Sequence, residues 1–81
     1  MFINKNNGKN NVCGEQVARC RKGKGISQRE LADLLQIAGL DVDKNAIQRI
    51  EAGKRFVTDI ELIYLSKVLQ ATITELLCLE Q

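Results

Sequence analysis

Residues 27–53 read SQRELADLLQIAGLDVDKNAIQRIEAG, and this stretch spells two short amphipathic helices. Ser27 and Glu30 form a capping box. The Ser27 hydroxyl can accept from the Glu30 N–H while the Glu30 carboxylate reaches back to the Ser27 N–H. Leu31, Leu34 and Leu35 follow at helical spacing around the small Ala32, so this helix runs from Gln28 to Gln36 or slightly beyond. Gly39 closes it or sits in the turn after it. Asp41 and Asp43 are both N-cap candidates for the next helix. Asp43 is favoured, which gives a helix from Lys44 to Ala52 with Ala46, Ile47 and Ile50 on its apolar face and Gly53 as a left-handed cap.

The flanking sequence extends the same grammar. Upstream, Cys13, Val17 and Cys20 share one helical face, and Gly23 and Gly25 stop that helix near Lys22, where positive charge suits the macrodipole. Downstream, Thr58-Asp59-Ile60-Glu61 is a second capping box, opening a broad apolar helix to about Gln70. Thr72-Ile73-Thr74-Glu75 is a third, opening a short helix through Leu76, Leu77 and Leu79. Five short helices without a strand pattern predict an all-α bundle over residues 12–81. Residues 1–11, rich in Asn, Lys and Gly, read as a flexible N-terminal arm.

Composition narrows the chemistry. The chain has 81 residues, no His, no Pro and no Trp, so about one small domain is expected. Without His there is no Ser-His-Asp or Cys-His catalysis and no His-based metal site. Cys13, Cys20 and Cys78 lack C-x-x-C spacing and are too few for a four-thiolate zinc. Reduced thiols in a cytoplasmic protein are the simplest reading, and an intermolecular disulfide at Cys13 or Cys78 stays open. No apolar run approaches a membrane span, and MFINKNNGKNN lacks the apolar core of a secretory signal. No catalytic residue, cofactor or metal is expected, and the chain does not read as an enzyme. Net charge is +2 but unevenly spread: residues 1–25 are strongly basic, 26–55 are balanced and 56–81 are acidic. A basic end can face a polyanion, although a short chain also acquires such asymmetry by chance.

The candidate site is the other face of the 44–52 helix. Lys44, Asn45, Gln48 and Arg49 fall on one side at 100° per residue. Lys and Arg suit guanine edges in the major groove, and Asn and Gln suit adenine. A solvated face is the structural alternative.

Three fragments, GEQVARCRKGKGISQRELADLL, AIQRIEAGKR and DIELIYLSKVLQATITELL, occur in an order and spacing that resemble the Cro/repressor-type (Xre-type) helix-turn-helix regulators over roughly residues 14–77. The resemblance implies a five-helix lambda-repressor-like DNA-binding domain in a bacterial or phage transcriptional regulator, repressor-like, binding double-stranded DNA. It implies base reading by Lys44, Asn45, Gln48 and Arg49. It implies phosphate contacts from Ser27, Gln28, Lys54 and Arg55, and a structural ion pair between Arg21 and Glu51. One helix reads only a few base pairs, so a homodimer through the C-terminal helix is expected, with Leu76, Leu77 and Leu79 as its surface or else as plain core. Ala32 and Ile47 stand fifteen apart, wider than the family's usual spacing. The turn between the second and third helices is therefore extended, by a longer helix or a larger loop. The competing reading of the same fold is a protein-interaction module, such as an antitoxin or anti-repressor partner, favoured by the modest net charge and the acidic, Leu-rich C-terminal third.

Overall fold

The computed structural model describes residues 8–79, which form five helices and no strand. These are α1 (Gly14–Gly23), α2 (Gln28–Ala38), α3 (Lys44–Glu51), α4 (Asp59–Leu69) and α5 (Ile73–Leu76). All three capping boxes are closed in both directions, Ser27 with Glu30, Thr58 with Glu61 and Thr72 with Glu75. Asp43 caps α3 by accepting from the Ala46 N–H at 2.8 Å. Each box satisfies helix donors that would otherwise lack an intrahelical partner.

The core is built where the apolar periodicities meet. Val17 of α1, Leu31 and Leu35 of α2, Ile47 and Ile50 of α3, Leu65 and Leu69 of α4, and Leu76 of α5 are all buried. α2 packs against both α3 and α4, and α1 bridges α3, α4 and α5. Among the glycines the tightest approach is at Gly14, where a Cβ would lie 2.1 Å from the Ile50 carbonyl oxygen. Only glycine lets the start of α1 sit against the end of α3.

The long turn between α2 and α3 resolves into both expected contributions. α2 continues two residues past Gln36 to Ala38, and residues 39–43 form the loop. Gly39 takes φ 113°, and the Gly39 and Leu40 N–H groups return to the Gln36 and Leu35 carbonyls. The loop is then fastened twice. Val42 is buried in the core, and the Gln36 amide donates to the Val42 carbonyl at 2.6 Å. The added length is thus a defined connection that sets where α3 begins.

Two expectations are corrected at the ends of the chain. Asn10 and Asn11, read as part of a flexible arm, are hydrogen-bonded to the loop after α3; residues 1–7 of that arm lie outside the described residues. α5 stops at Leu76 because Cys78 adopts the left-handed conformation, φ 58°, and the Leu79 N–H turns back to the Thr74 carbonyl. Leu76 is fully buried while Leu79 is 59% exposed. Leu76 is therefore core, which removes it from the expected dimer surface.

Candidate nucleic-acid interface

α3 has two faces of opposite chemistry. Ile47 and Ile50 point into the core, while Lys44, Asn45, Gln48 and Arg49 are all exposed. Among the described residues, none of these four side chains makes a hydrogen bond or ion pair within the chain. Four long polar side chains on one stripe therefore face water with their donors free. Asn45, Gln48, Arg49 and Lys54 line one shallow depression, so the loop after α3 continues the same surface. On the other side of the stripe, Lys44 and Asn45 share a groove with Arg29, Asp33 and Gln36 of α2. Arg29 belongs to this face and was not singled out in the sequence. Its place one residue after Gln28, opposite the buried Leu31 and Leu35, is the signal that could have found it.

The remaining expected site residues divide. Lys54 is exposed, with no side-chain partner among the described residues. Ser27 is exposed, its hydroxyl oxygen accepting from the Glu30 N–H at 3.0 Å. Gln28 is half-buried and donates to Glu51 Oε1 at 3.0 Å, leaving its second amide hydrogen for another acceptor. Arg55 is used differently from the phosphate contact expected for it. Its Nη1 and Nη2 donate to Glu61 Oε1 and Oε2 at 2.9 and 2.8 Å, and Nη1 also donates to the Phe56 carbonyl. This forked geometry neutralises the guanidinium locally and holds the loop to α4. The same guanidinium keeps the Glu61 carboxyl below the ordinary carboxylate range, helped by the Thr58 backbone N–H.

Arg21 and Glu51 form a two-point ion pair. Arg21 Nε donates to Glu51 Oε2 at 2.7 Å and Nη2 to Oε1 at 3.1 Å, with side chains 11% and 8% exposed. Nη1 donates to the Ile26 carbonyl. Glu51 thus collects α1, through Arg21, and the start of α2, through Gln28, at the end of α3. This arrangement fixes the angle between the two helices of the motif.

The cysteines show no partner chemistry. All three are free; Cys13 is buried, Cys20 half-buried and Cys78 exposed. Burial pushes the Cys13 thiol up and takes it out of reach of an intermolecular disulfide. Among the described residues no group of three or more Cys, Asp or Glu side chains is placed to hold a metal ion, and no helix is long and apolar enough to cross a membrane.

A helix held at its two ends by a capped turn and a buried ion pair, with a wet donor stripe outward, is the architecture of a helix-turn-helix DNA-binding domain. The chain belongs to this family: the Xre-like family model described as helix-turn-helix matches residues 17–76. Among solved structures it is similar to the restriction-modification controller protein C.AhdI from Aeromonas hydrophila, with 28% identity, 78% of this chain and 84% of that one covered, and a TM-score of 0.68. No curated protein matches it. The protein is a DNA-binding transcriptional regulator of the Xre-like class. That class is not an enzyme family, and the interaction-module reading is not favoured.

Proposed function

We propose that α3 lies in the major groove of double-stranded DNA and that Lys44, Asn45, Gln48 and Arg49 read base edges there. Lys54 grips the backbone beyond the end of α3, and Ser27 with Gln28 presents the start of α2 to a phosphate on the other flank. The observation that carries this reading is the exposed stripe, unpaired among the described residues, on a helix whose opposite face buries Ile47 and Ile50. Arg55 acts indirectly, by fixing the loop. The protein works in the cytoplasm as a repressor-like regulator.

We further propose a homodimer on a two-fold site, because so short a helix contacts few base pairs. The surface is the C-terminal end without Leu76: Ile73, Leu77 and Leu79 leave apolar area in contact with solvent, Ile73 and Leu79 being 40% and 59% exposed.

Selection of bound sequences from random duplexes, repeated at two salt concentrations, tests the whole reading. It should recover paired half-sites centred about one helical turn, or a multiple of it, apart. Affinity should fall steeply with salt, since each phosphate contact adds roughly 0.9 to the logarithmic slope. Recovery of no enriched sequence at either concentration would reject sequence-specific binding.

A further inference from the structure

The loop that presents Lys54 is not held by regular secondary structure. Its three consecutive carbonyls, those of Gly53, Lys54 and Arg55, are all taken by two asparagines near the N-terminus. The Asn10 N–H donates to the Gly53 carbonyl at 2.8 Å and Asn10 Nδ2 to the Lys54 carbonyl at 3.0 Å. Asn11 Nδ2 donates to the Arg55 carbonyl at 2.7 Å and to the Ile50 carbonyl at 3.1 Å. Asn11 Oδ1 in turn accepts from the Gly14 N–H at 2.8 Å, which anchors the pair to α1. Lys9 lies flat on the loop, so that a Cβ at Gly53 would come within 2.9 Å of its Cγ. From the opposite side, Arg55 ties the loop to Glu61.

We propose that Asn10 and Asn11 are positioning residues for DNA binding: a strap that fixes the 53–55 backbone so that Lys54 meets a phosphate without first being ordered. The inference rests on the reading of Lys54 as a phosphate contact. A preorganised loop avoids the entropy cost that a free loop meets on binding. The Gly53 carbonyl is met by a backbone N–H, while the Lys54, Arg55 and Ile50 carbonyls are met by side-chain amides, whose NH2 groups supply the donors that a carbonyl requires. Asn10 is the informative position. Among the described residues its Oδ1 is buried without a partner, so alanine there deletes the side-chain donor to Lys54 and an unmet acceptor together while keeping the backbone bond to Gly53, and the fold should be retained.

The experiment is a double-mutant cycle of Asn10→Ala and Lys54→Ala. Affinity is measured at two salt concentrations on the best selected duplex and on a short mixed-sequence duplex. Asn10→Ala should weaken both duplexes alike by about three- to tenfold, the range expected for one hydrogen bond, and make the salt slope shallower by up to about one. In the Lys54→Ala background it should change affinity less than about twofold, because the two residues act through one contact. Additive losses, or no loss from Asn10→Ala where Lys54→Ala does weaken binding, overturn the strap alone. A neutral Lys54→Ala overturns the phosphate reading and the strap with it. Hydrogen exchange on the free protein supplies a readout without DNA. Asn10→Ala should speed exchange of the Lys54 N–H, which bonds the Arg49 carbonyl at 2.9 Å, and leave the Leu31 and Leu35 amides unchanged. Equal acceleration at all three marks a general loss of stability and overturns a positioning role.

Discussion

Arg49 and Glu51 stand two positions apart on α3 and show how different the demands on neighbouring residues are. Arg49 is exposed, and its side chain makes no hydrogen bond or ion pair among the described residues. Arg49→Ala should leave the unfolding transition nearly unchanged, cost roughly 1–3 kcal/mol on the best duplex and relax base preference at one position. Repeating the sequence selection with the variant checks this, and an identical preference would remove Arg49 from the reading set. Glu51 is the reverse case. It accepts from Arg21 and Gln28 in a site where both members of the ion pair are nearly shielded from water. Glu51→Ala strands the Arg21 cation and should cost about 3–5 kcal/mol of stability, read from a urea titration. A cost near that of an exposed pair, ~0–1 kcal/mol, would show that water reaches the guanidinium after all.

At the scale of elements, all five helices end in the same way. One or two residues past the helical run the chain takes a left-handed φ, and the N–H after that residue reaches back five residues: Ile26 to Arg21, Leu40 to Leu35, Lys54 to Arg49, Ala71 to Ser66 and Leu79 to Thr74. The left-handed residue is glycine at 25, 39 and 53 but Gln70 and Cys78 after α4 and α5. An L side chain there costs roughly 1–2 kcal/mol relative to glycine. Gln70→Gly should therefore raise stability by about 1 kcal/mol, the exposed Lys24–Gln70 hydrogen bond lost in exchange being worth less. A thermal melt that moves down instead would show that this hydrogen bond outweighs the backbone term. The same comparison explains what was legible. The starts of α2 to α5 were readable because capping boxes and Asp43 are local signals, whereas α1 begins after Cys13 with no side-chain cap to mark it; helix ends were readable where glycine marks them. The end of α5 was overrun because Cys78 carries no such mark. Arg55–Glu61 went unseen because the pair closes across a loop rather than along a helical face. Asn10 and Asn11 looked like part of an arm because their partners lie about forty residues away in the chain. Arg21–Glu51 is also remote, thirty residues apart, and only resemblance to a family made it readable.

For the molecule as a whole, Glu61 is one source of acid sensitivity. Its folded-state pKa lies below the ordinary value of 4.5, chiefly because Arg55 hydrogen-bonds the carboxylate. The unfolded chain therefore takes up this proton first as pH falls. The stability it supplies is fully present above about 4.5 and is lost as pH drops through the lower folded value. Stability measured from pH 6 to 3 should decline in that lower window, and Glu61→Gln should flatten the decline. An unchanged profile in the variant would assign acid sensitivity to other carboxylates. Glu15 and Glu75 are shifted the same way, by Lys9 and by the Thr72 backbone N–H respectively, but both are exposed and their contributions are screened. The division of α3 has a last consequence. Its attachment is carried by Asp43, Ile47, Ile50 and Glu51, none of which belongs to the outward stripe. The four outward letters can be rewritten as a block while the scaffold keeps its shape, so this small protein is a natural chassis for grafting a new operator code.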